Sequence, residues 1–166
     1  ACLKFDRSSL QIEAIWGADC FVLWKTKSGK VGIVGGDNRM ADLQREQIYA
    51  DTTDKKEYWL EKFPELKRQQ DNVLYAVLNG QPNLSNLLHE EIIQEPIELV
   101  VLLTDGAWIP MERWDENAAM AEEFVRQLEQ RGLPKALEWV REAQRKGLTS
   151  KRVAKPEATA LAIFAD

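Results

Sequence analysis

A chain of 166 residues, 45% hydrophobic and 30% charged, fits one domain and can bury a sizeable core. Its formal net charge of −5 argues against nucleic acid as a partner, because phosphate contact needs clustered Lys and Arg. No apolar run approaches the ~20 residues of a membrane span and no signal-type segment opens the chain, so no membrane partner and a cytoplasmic location are expected.

The chain begins at Ala1 with residues that already read as a strand, Cys2-Leu-Lys-Phe-Asp6. Native domains usually start with a few loose residues, so one part of a longer protein is expected. A polar turn at Arg7-Ser8-Ser9 leads into a strand over Leu10–Trp16. Phe21–Trp24, a turn at Lys27-Ser-Gly29 and Lys30–Val34 complete an antiparallel meander, closed by Gly35-Gly36-Asp37-Asn38. The two cysteines, Cys2 and Cys20, make neither a disulfide framework nor a Cys-x-x-Cys zinc pattern; their apolar neighbours predict small core residues.

Residues 39–72 are strongly polar and predict one or two exposed helices interrupted at Pro64. Val73–Leu78 reads as an apolar strand, and Leu84–Glu91 as a short helix carrying the only histidine, His89. Leu99–Leu103 is an uninterrupted apolar run, which predicts a strand buried on both faces. It delivers Asp105 directly in front of Gly106. Such an acid could hold a hard cation on a rigid scaffold, or the Asp-Gly pair could simply make a turn.

Asp115 suits the N-cap of a helix to about Arg131, with Ala118, Ala121, Phe124, Val125 and Leu128 on one face. Gly132 fits the residue after that helix and Pro134 the first turn of the next. The second helix turns Leu137, Val140 and Ala143 inward and stops at Gly147. Arg145-Lys146, Lys151-Arg152 and Lys155 form a local basic patch, read either as a solvated loop or as a contact for an acidic partner. Thr159–Phe164 reads as a closing strand, and the whole order predicts an α+β class.

Nucleophile–base chemistry has little support: His89 has no Gly-x-Ser-x-Gly elbow or cysteine motif to serve, and Gly35-Gly36 lacks the Lys-Ser/Thr of a phosphate loop. The six tryptophans are spread along the chain as core or surface plugs rather than a stacking platform. Acids at strand ends remain. Asp19 follows the strand ending at Trp16-Gly17, Asp105 follows Leu103-Thr104 and Glu157 precedes the last strand. Neighbouring strands lie only ~4.8 Å apart, so such carboxylates could converge on cations that activate water against a phosphoryl group.

Several segments resemble, in order and spacing, the metal-dependent serine/threonine protein phosphatases of type 2C, the PPM family. Leu102-Leu-Thr-Asp-Gly-Ala107 resembles the family's Ser-Asp-Gly strand, and Trp16-Gly-Ala-Asp-Cys20 with Ser28-Gly-Lys30 its Gly-Asp-Ser strand and hairpin. Val73-Leu-Tyr-Ala-Val-Leu-Asn-Gly-Gln-Pro82 is similar to the Gly-Tyr-Trp-Val-Leu-Asn-Gly segment of bacterial members. Pro156-Glu-Ala-Thr-Ala160 stands where the family has Asp-Asp-Ala-Thr.

The resemblance implies a single domain over residues 1–166: an antiparallel β-sandwich flanked by helices, incomplete at its N-terminus because the family's first strands precede Ala1. It implies Mn²⁺ or Mg²⁺ as cofactor, Asp105 as a metal ligand, Asp19 at a weaker additional metal, and hydrolysis of phosphoserine or phosphothreonine without a phosphoenzyme. The expected partner is a phosphoprotein substrate or a regulatory protein, with a second chain or fragment completing the sheet. The chain departs from the pattern at Ala18, where the family has Gly, and at Pro156, where it has a ligand acid; Glu157 is the acid left there. That loss keeps open a catalytically inactive phosphatase-like module with a binding role.

Overall fold

Alternating side chains set the first hairpin. β1 (Cys2–Asp6) pairs antiparallel with β2 (Gln11–Trp16) from Cys2↔Ile15 to Asp6↔Gln11, and Ile12, Ala14 and Trp16 turn inward. The Asp6 carboxylate staples the turn, accepting from the Ser8 amide at 2.9 Å and from the Ser8 and Ser9 hydroxyls at 2.7 and 2.8 Å. The computed structural model describes residues 1–36, 39–76, 82–108, 114–146 and 158–165, which fall into two compact units.

The first unit comprises Ala1–Trp16, Cys20–Gly35 and Glu90–Asp166. It adds β3 (Cys20–Thr26), β4 (Val31–Gly35), β5 (His89–Ile93), β6 (Ile97–Thr104) and β7 (Ala160–Phe164). These make two sheets, in the orders β1-β2-β5 and β4-β3-β6-β7. The expected α+β class is thus observed, with antiparallel pairing throughout the second sheet. β3 and β6 lie in its middle and are buried on both faces, as uninterrupted apolar runs require.

Each face of that sheet has its own core. Val22, Trp24 and Val100 meet Ile12, Ala14, Trp16 and Ile93 between the sheets. On the other face Phe21, Leu23, Leu99, Val101 and Leu103 pack with Phe124, Val125 and Leu128 of α4 (Trp114–Arg131) and with Val140 and Ala143 of α5 (Leu133–Arg145). Trp108 joins this core, its ring centroid 6.3 Å from Phe21 and 5.9 Å from Phe124. Gly132 at φ +80° turns α4 into α5, and Pro134 sits in the first turn of α5, where its missing N–H costs no hydrogen bond. Within the second sheet the Trp24 ring covers Gly32, its cross-strand partner, filling the space a side chain would need.

The second unit comprises Gly17–Asp19 and Gly36–His89. It holds α1 (Arg39–Asp51), α2 (Lys55–Glu57), a π-helical turn Tyr58–Lys62, α3 (Phe63–Gln70) and a 3₁₀ turn Pro82–Leu87. Asp54 caps α2 by accepting from the Lys56 and Glu57 amides. Pro64 does not break the helical path from Lys55 to Gln70, because it occupies the first turn of α3, directly after the π turn. Tyr49, Tyr58, Trp59 and Phe63 pack edge-on or tilted along these helices.

Several local expectations are corrected. Residues 84–91 are not a helix: the 3₁₀ turn ends at Leu87 and β5 begins at His89, which is exposed. Val73 and Leu74 lie in a turn rather than a strand, and Tyr75 forms a single bridge to Asp71; Val77 and Leu78 lie outside the described residues. Cys2 is exposed and Cys20 half-buried, since both stand at strand starts rather than in a core layer. α4 begins at Trp114, so Asp115 falls inside its first turn. Gly147, Lys151, Arg152 and Lys155 lie outside the described residues. Among the described residues no helix is long and apolar enough to cross a membrane.

Candidate functional site

Asp105 stands at the end of β6, which is paired on both sides, to β3 and β7. The Thr104 amide donates to the Thr159 carbonyl at 3.0 Å, and the Thr159 amide donates to the Thr104 hydroxyl at 3.0 Å, tying the strand end to the start of β7. Asp105–Ala107 then form one 3₁₀ turn in which Gly106 and Ala107 are buried. From α5, the Gln144 side-chain amide donates to the carbonyls of Gly106 and Trp108 at 3.4 and 3.3 Å. The Asp-Gly pair therefore makes a turn, on backbone fixed to the end of the sheet.

Asp19 is the residue before β3, half-buried in the turn that contains Ala18. Ala18 has φ +54°, the left-handed conformation in which glycine is favoured. Gly17 approaches the Tyr75 segment so closely that a Cβ there would lie 2.8 Å from that of Ala76. Two of the segments that carry the resemblance, Trp16–Cys20 and Val73–Pro82, thus meet through Gly17 and Ala76.

Tyr75 is 8% exposed and donates its hydroxyl to Asp71 Oδ1 at 2.7 Å, while the Arg45 guanidinium lies 5.5 Å from its ring centroid. Burial first, then the hydrogen bond to Asp71, pushes the phenol far above its ordinary value, and the Asp19 carboxylate adds to the rise. Tyr75 is a neutral O–H donor at any physiological pH. Sequence reading missed this cluster: Tyr75 reads as one member of an apolar run, and its partners Arg45 and Asp71 come from helical segments with no local motif.

Asp19 belongs to the second unit and Asp105 to the first. Glu157, with Pro156, lies outside the described residues. Among the described residues no group of three His, Cys, Asp or Glu side chains is arranged to hold a metal ion. No protein-family model, curated protein or solved structure matches this chain.

Proposed function

We propose that this chain is a phosphatase-like module of the type 2C kind, acting in the cytoplasm on phosphoserine or phosphothreonine in proteins with Mn²⁺ or Mg²⁺. The observation that carries the reading is the position of Asp105, at the end of a central strand buried on both faces and fixed on either side by neighbouring strands. The two antiparallel sheets with helices packed on one of them agree with the fold the resemblance implies. The contact of Gly17 with Ala76, and the left-handed backbone at the position where the family has glycine, support it further.

In this reading Asp105 is a cation ligand, and Asp19 and Glu157 are candidate further ligands. The metal, when bound, supplies an activated water and neutralises phosphoryl charge. The chain's own part is to fix the Asp105 backbone through the Thr104–Thr159 and Gln144–Gly106 hydrogen bonds. Pro156, which has no side-chain ligand atom, favours a second reading: an inactive module that binds a phosphoprotein or a regulatory protein.

The test is hydrolysis of a phosphoserine peptide with Mn²⁺ by the protein in its full natural length, compared with Asp105→Asn. Loss of a ligand should cost more than the ~10–100-fold typical of an outer-shell partner. Equal rates for the two proteins would remove Asp105 from the chemistry. Absence of hydrolysis in both, with Mn²⁺ binding still detected by calorimetry, would select the second reading.

A further inference from the structure

The two sheets are unequal: three strands face four, and β7 is the outer strand at one end. In register, Leu161 pairs with Leu102 and Ile163 with Val100, so both side chains point to the inter-sheet face that Leu102 and Val100 line. They are nevertheless 53% and 40% exposed, and Phe164, on the helix-covered face beside Leu99, is 57% exposed. No described element pairs with the free edge of β7.

The other edges are guarded. β1 carries Lys4 and Asp6, β5 carries Glu90 and Glu91, and β4 is packed against α4. β7, Ala-Leu-Ala-Ile-Phe, has no charge, no proline and no glycine, so within the strand no side chain opposes pairing.

We propose that the free edge of β7 takes β7 of a second copy of this chain, forming a two-fold homodimer with one continuous antiparallel sheet. The backbone sets the register. The Thr159 carbonyl and Ala165 amide bond to β6, so by alternation the amides and carbonyls of Ala160, Ala162 and Phe164 point to the free edge. A two-fold axis at Ala162 lets these groups bond to the copy, Ala162 to its own counterpart and Ala160 to Phe164.

The same register solves the side chains. On the inter-sheet face each Leu161 lies opposite the other copy's Ile163, making an apolar cluster of four. On the other face the large Phe164 lies opposite the small Ala160. Self-pairing elsewhere is penalised: β5 against itself would bring Glu90 and Glu91 together on a chain already at −5. An isologous contact of this kind closes at two copies and does not propagate.

Sedimentation equilibrium of this chain at about 100 µM should give twice its 19.0 kDa. A chain with Leu161→Glu and Ile163→Glu, and another with both changed to Lys, should each be monomeric and folded by circular dichroism. Mixed, they should restore the dimer mass. Register is read by oxidation in a Cys2→Ser, Cys20→Ser background: Ala162→Cys should crosslink, since facing Cα atoms ~5.5 Å apart suit a disulfide, and Ala160→Cys should not. A monomer at every concentration, or equal crosslinking at both positions, overturns the proposal.

Discussion

Ala18 holds φ +54° without being glycine. The Cβ crowding of that conformation costs an L-residue about 1–2 kcal/mol, while a glycine would add unfolded-state entropy worth about 0.5–1 kcal/mol. Ala18→Gly should therefore stabilise the protein by roughly 0.5–1 kcal/mol, read by urea denaturation; a loss of stability would show that the methyl has packing value. Asp6 gives the complementary case, a side chain that sets its own turn. The hydroxyls of Ser8 and Ser9 and the Ser8 amide hold its carboxyl at about 2, below the ordinary ~3.9. A depressed folded value means stability that is present above the unfolded value and lost as pH falls through the folded one. Asp6→Ala should lower the melting temperature at pH 6, and the gap to the parent protein should close between about pH 4 and 2. A gap independent of pH would assign the turn to something other than the carboxylate.

The elements differ in how far their sequences announce them. β6 is legible because five apolar residues in a row can only be covered on both faces, and α4 and α5 because Gly132 and Pro134 mark their junction. β5 is not: His89, Glu90 and Glu91 sit on an edge strand where charge is tolerated, and the same letters suit a helix. The Val73–Leu78 run misleads in the other direction, since Tyr75 is held by a single bridge and hydrogen bond to Asp71, four residues before it, and lies beside Arg45 of α1, rather than in a strand ladder. Of the candidate site, the strand-end place of Asp105 is legible, whereas the Arg45–Tyr75–Asp71 arrangement needs three dimensions. β4 carries a further constraint. At Gly35, φ +117°, a Cβ would stand 2.0 Å from the Cys20 carbonyl oxygen and 2.8 Å from the Phe21 Cα, both backbone atoms that cannot step aside. Gly35→Ala should cost on the order of 3 kcal/mol, more than Gly29→Ala, where φ is also positive but nothing stands within 4 Å. Equal losses would mean that the β3–β4 pair opens easily at this end.

At the scale of the molecule, the first unit is layered sheet, sheet, helix, with the four-stranded sheet in the middle. Such a middle layer should open last. Amide exchange should be slowest in β6 and β3, with exchange in β1 faster by at least tenfold at equal intrinsic rate, as an edge strand with one paired side allows. Equal protection in β1 and β6 would mean that the two sheets open as one. The tryptophans supply an optical consequence of this layering. Trp16 and Trp24 lie between the sheets and Trp108 under the helices, each less than a tenth exposed, whereas Trp59 in the second unit is 55% exposed. In a chain with Trp114→Phe and Trp139→Phe, acrylamide should quench the red-edge emission of Trp59 and leave the blue-edge emission of Trp16, Trp24 and Trp108, so one fluorescence titration can follow the two units in separate colours.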